Sequence, residues 1–73
     1  MILVYSLPVC PNCDELKHLF ELKNINYKSL DLEDPDVYAE LLLDGVTLVE
    51  APIVKINDQY FDKTSAMKEL GIC

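Results

Sequence analysis

Residues 2–13 read Ile2-Leu3-Val4-Tyr5-Ser6-Leu7-Pro8-Val9-Cys10-Pro11-Asn12-Cys13, and the fold class follows from this stretch. Ile2 to Tyr5 is an unbroken apolar, β-prone run, the pattern of a parallel strand covered on both faces. Pro8 interrupts it. Pro11 then marks the first turn of a helix, where a missing N–H does no harm and a fixed φ is already helical. Cys10 therefore stands at the mouth of that helix. Leu16, Leu19 and Phe20 recur three and four apart with Cys13 one turn before them, which predicts a helix over residues 11–23 with these side chains inward and His18 outward, toward solvent.

Working outward, residues 27–32 alternate, with Leu30 and Leu32 on one side and Tyr27, Ser29 and Asp31 on the other, as in a half-exposed edge strand. Glu33-Asp34-Pro35-Asp36 is a helix start, with carboxylates at the positive dipole end and proline in the first turn. Val37, Tyr38, Leu41 and Leu42 are expected inward on that second helix, which Gly45 can end. Tyr5, Phe20 and Tyr38 read as core aromatics. Residues 46–49 have the length of a strand and read equally as an extended connector. Residues 52–56 form a second apolar run, and Asn57-Asp58 turns it into Gln59-Tyr60-Phe61 as a hairpin. Asp62 or Thr64 caps a last helix that carries Ala66, Met67 and Leu70 inward and stops at Gly71. A right-handed βαβ crossover makes the first two strands parallel, and the hairpin adds an antiparallel pair. The expectation is an α/β fold, βαβαββα, with a four-stranded mixed sheet and helices on both faces.

Composition narrows the function. The 73 residues carry 13 Asp and Glu against 6 Lys, no Arg and one His, a formal charge of −7. A chain of this length makes one domain, residues 1–73, whose core supplies only about 3–5 kcal/mol. An acidic, arginine-free surface repels phosphate, so no nucleic-acid partner is expected. No apolar run approaches the ~20 residues that span a bilayer, and the start of the chain lacks a basic region and a cleavage site. A cytoplasmic monomer with no membrane partner is the expectation.

Three cysteines are too few for the disulfide framework of a secreted mini-protein. Two of them, Cys10 and Cys13, form a Cys-x-x-Cys pair at a helix start, one turn apart and within disulfide reach. Unpaired N–H groups at the positive helix end favour an anion, so the Cys10 thiol is expected to ionise below the ~8.5 of a free thiol and act as nucleophile. Cys13, deeper and inward, suits the resolving role. A structural zinc site would want four ligands, and only His18 and Cys73 remain as soft candidates, so no metal is assigned. Cys73 reads as a bystander, or as the source of an intermolecular disulfide on air oxidation. Pro52, opening a strand, reads on its own as an ordinary trans proline.

A strand, Cys-Pro-x-Cys, a helix and a later Ala51-Pro52-Ile53-Val54 together resemble the glutaredoxin branch of the thioredoxin superfamily, across nearly the whole chain. The resemblance implies a thioredoxin fold and a thiol-disulfide oxidoreductase. It implies Cys10 as nucleophile, Cys13 as resolving thiol and Pro52 as a cis proline facing them. Val9, Pro11, Asn12, Ala51 and Pro52 would then contact substrate, with Leu7 and Pro8 completing a small apolar apron. No cofactor is implied as bound. Electrons would come from NADPH through thioredoxin reductase, or through glutathione, and go to protein disulfides, ribonucleotide reductase among them, because related redoxins that serve that enzyme also often carry Ala-Pro here. Those relatives carry a Trp-containing segment after the hairpin, and this chain has no Trp.

The departures fall where family members hold glutathione. Leu7 replaces a Lys, Asn12 a Tyr, Glu50-Ala51 a Thr-Val, Asp62-Lys63 a Gly-Gly, and Ala66 stands near the place of an Asp. An anionic tripeptide loses cationic and N–H partners by these changes, and Lys63 compensates only in part, which favours thioredoxin reductase as electron source. Glu50, if beside the sulfurs, opposes a thiolate at Cys10; a solvated carboxylate pointing away is the equal alternative. From another class, an iron–sulfur or metal carrier would bridge two chains through Cys10 thiolates, and Cys13 and Pro11 argue against it.

Overall fold

The computed structural model describes residues 1–46 and 51–72. Its elements are β1 (Ile2–Ser6), α1 (Pro11–Leu22), β2 (Lys28–Asp31), α2 (Pro35–Leu43), β3 (Ile53–Ile56), β4 (Gln59–Phe61) and α3 (Lys63–Glu69). The order expected from the sequence is the order observed. Thr47 to Val49, most of the stretch readable as strand or connector, lie outside the described residues, as do Glu50 and Cys73.

The sheet runs β2-β1-β3-β4. β1 pairs parallel to β2 and antiparallel to β3, with Tyr5 opposite Leu30 on one side and Ile53 on the other. β1 is thus interior, as its continuous apolar run requires, while the alternating β2 forms an edge. Asn57 and Asp58 take positive φ, 46° and 69°, which fits a two-residue turn whose twist matches the strands it joins.

Successive residues of β1 feed opposite faces. Val4 packs with Leu16, Phe20, Val54 and Ala66 under α1 and α3, whereas Tyr5 packs with Leu32, Leu41 and Ile53 under α2. Tyr27 joins the first face, edge-on to Phe20 at 5.5 Å between ring centroids. Every helix stops by the same device: Asn24, Gly45 and Gly71 take positive φ, and the next residue's N–H returns to Phe20, Leu41 and Met67 respectively.

The inward face of α2 is narrower than expected. Val37 and Leu41 pack against the sheet, but Tyr38 is 42% and Leu42 53% exposed, so Tyr38 is not a core aromatic. Tyr38 and Leu42 form the neighbouring row, about 100° round the helix from Val37 and Leu41. The row 37/41 takes the contact with Tyr5, Leu32 and Ile53, and the row 38/42 is left at the rim.

Candidate functional site

The site begins with the first turn of α1. Cys10 is its N-cap, with extended backbone (φ −149°, ψ 97°), and Pro11 fills the first helical position. The Cys10 carbonyl accepts from the Asp14 N–H at 3.0 Å, which starts the helix ladder. Its Sγ accepts from the Cys13 N–H at 3.2 Å, so one of the helix's orphan donors points at this sulfur. Such a donor strengthens when its acceptor becomes an anion.

Cys10 and Cys13 are joined as a disulfide, with Cα atoms 5.2 Å apart. Cys10 is 9% exposed and Cys13 0%. The asymmetry arises from helix geometry: the N-cap residue lies at the rim, while three residues on the chain has turned toward Leu16 and the sheet. Cys10 thus keeps a little accessible surface and Cys13 none.

Tyr5 lies opposite Ile53, so the residue before Ile53 stands at the end of the sheet where β1 gives way to the loop that carries Cys10. That residue is Pro52, buried, and the Ala51-Pro52 bond is cis. The β1–β3 register begins at Ile53, which leaves Ala51 beyond the strand ladder.

Asn12, Ala51 and Pro52 line one cleft of about 230 Å³ together with Asp62, Lys63 and Thr64 from the start of α3. Val9 and Pro11 are exposed but do not line it. Val9, 91% exposed, stands with Leu7 and Pro8 as an apolar rim next to Cys10. Asp62 caps α3, its carboxylate accepting from the Ser65 N–H at 2.7 Å, a bond that holds its pKa below the ordinary carboxylate value. Lys63 forms an ion pair with Glu15 of α1, Nζ to Oε1 3.0 Å. Glu15 is the residue that sequence reasoning missed, because nothing in a one-dimensional pattern brings it to Lys63.

His18 is exposed on α1, away from the sulfurs' inward side. Among the described residues no group of three or more His, Cys, Asp or Glu side chains is placed to hold a metal ion, and no helix is long and apolar enough to cross a membrane.

The sequence matches the family model for glutaredoxin over residues 2–61. The chain belongs to the glutaredoxin family. The fold agrees with that of solved relatives. The thioredoxin-like protein BC3987 superposes with a TM-score of 0.77 at 23% identity, with 100% of each chain covered. The glutaredoxin-like NrdH-redoxin of Escherichia coli gives 0.68 at 20% identity, covering 84% of this chain and 79% of its own. A buckwheat glutaredoxin in complex with glutathione gives 0.72 at 21% identity, covering 97% of this chain and 70% of its own. No curated protein matches the sequence at a significant level. As a glutaredoxin-family chain with its paired cysteines at a helix start, the molecule has the fold and the redox pair of a thiol-disulfide oxidoreductase.

Proposed function

We propose that the chain reduces protein disulfides by a dithiol cycle. The Cys10 thiolate attacks one sulfur of a substrate disulfide, forming a mixed disulfide and releasing the other substrate sulfur as a thiolate. Cys13, deprotonated, attacks Cys10 Sγ, the second substrate thiolate leaves, and the protein holds the Cys10–Cys13 disulfide. Two electrons pass to the substrate, and its thiolates take up two protons from solvent. The single observation that carries this reading is the asymmetric pair, Cys10 at the rim under the Cys13 N–H and Cys13 fully buried.

Val9, Pro11, Asn12, Ala51 and Pro52 meet the substrate segment, with the exposed Val9 and Leu7 giving it an apolar seat. The reaction requires no bound cofactor. Electrons return from NADPH through thioredoxin reductase in preference to glutathione, because the cleft's Lys63 is already engaged by Glu15 and the usual Gly-Gly turn is absent. The similarity to an NrdH-redoxin whose activity profile is described as thioredoxin-like supports the same choice. Ribonucleotide reductase is the protein substrate proposed, with the cytoplasm as location and a monomer as the working form.

A coupled assay tests the electron source. With NADPH and insulin as the disulfide substrate, thioredoxin reductase should sustain turnover, and glutathione with glutathione reductase should give little. The opposite ranking would overturn the choice of reductant, and turnover with neither would overturn the proposed activity.

A further inference from the structure

Lys63 breaks a local rule. It occupies the first turn of α3, where a cation opposes the helix dipole, so helix stability does not explain it. Its side chain is only 22% exposed and it lines the cleft together with Asn12, which stands between the two cysteines in the chain, yet its ammonium is turned onto Glu15. Asp62, the other charged residue of that lining, accepts from the Ser65 N–H at its carboxylate. Among the described lining residues Lys63 is the single cation, and Glu15 neutralises it.

We propose that Glu15 is a specificity-determining residue: by holding Lys63 in an ion pair it leaves the described lining of the cleft with the negative charge of Asp62, so that the site favours neutral and cationic sulfur partners and turns away anionic ones. This rests on the thiol-disulfide activity proposed above. The substrate class it names is a disulfide or thiol flanked by uncharged or basic groups. The discrimination acts on the incoming partner in both directions of exchange, since the same cleft is occupied when a thiol reduces the Cys10–Cys13 bond.

Three small thiols of graded charge read it out: 3-mercaptopropionate (anionic), 2-mercaptoethanol (neutral) and cysteamine (cationic). In each reaction the thiolate attacks Cys10 Sγ, the Cys10–Cys13 bond breaks, and Cys13 leaves as a thiolate. A second thiol then displaces Cys10, and the two small thiols end as their own disulfide. Rate constants for reduction of the oxidised protein are compared between wild type and Glu15→Gln, so that each thiol's intrinsic reactivity cancels. Glu15→Gln should raise the 3-mercaptopropionate to 2-mercaptoethanol ratio about two- to fivefold, the size of a partly exposed ion pair. The cysteamine ratio should fall. Added salt should shrink both changes. In a Lys63→Gln background the Glu15→Gln substitution should move either ratio less than twofold, because the freed ammonium is gone. Ratios indifferent to Glu15→Gln, or a gain that persists without Lys63, would overturn the filter alone. Failure of all three thiols to reduce the wild-type disulfide would instead overturn the activity on which it rests.

Discussion

Cys10 serves backbone and chemistry together: its carbonyl opens the α1 ladder while its sulfur takes the Cys13 N–H. Removing each sulfur should therefore give different outcomes. Cys10→Ser should abolish disulfide reduction, whereas Cys13→Ser should attack substrate once and stall as a mixed disulfide, visible as a mass adduct released by dithiothreitol. A second residue titrates in a way that reports on the sheet. Burial, and then the hydrogen bond to Asp44, push the Tyr60 phenol well above its ordinary value. Its folded pKa exceeds the unfolded one, near 10, so its contribution to stability is whole below that pH and is lost as pH rises through the folded value. The urea midpoint should fall from about pH 10 upward. Tyr60→Phe should show a shallower fall, leaving the part due to Tyr27, whose pKa is raised by burial and by Glu21. Equal slopes in the two proteins would remove Tyr60 from the account.

At the scale of elements, α2 gives the sharpest contrast. Leu41 is fully buried against Tyr5, Leu32 and Ile53, while its neighbour Leu42 is 53% exposed. Leu41→Ala should cost about 2–5 kcal/mol, enough to leave a chain of this size largely unfolded, and Leu42→Ala less than about 0.5 kcal/mol. Urea denaturation separates them. The element order, the Asn57-Asp58 hairpin and the start of α1 at Pro11 were legible in the sequence, because local backbone chemistry marks each, and of the two caps the sequence offered for the last helix, Asp62 and Thr64, the structure uses Asp62. The exposure of Tyr38 and Leu42 was not. Periodicity assigns residues to a helix face, but how much of that face is covered depends on the width of sheet beneath it, which no local pattern encodes. The Glu15–Lys63 pair was hidden for a related reason, since it joins two helices that only the finished sheet brings together.

The whole molecule carries a formal charge of −7 on 73 residues, a field that should steer its encounters. Reduction of a basic peptide disulfide should slow several-fold as ionic strength rises from about 10 to 300 mM, where the Debye length contracts from roughly 30 to 6 Å. Reduction of an acidic peptide should hold or speed up; stopped-flow rates check both. The same sheet that sets two cores on opposite faces also delivers β1's loop and Pro52 to one end, where the sulfurs lie. Fold and site are therefore coupled through β1 and β3. Selective alkylation of the reduced protein with iodoacetamide, followed peptide by peptide by mass spectrometry across pH, tests the central claim most directly. Cys10 should be modified quickly at neutral pH, with a midpoint below that of a free thiol, and Cys13 should lag far behind; equal rates at the two positions, or Cys13 reacting first, would contradict it.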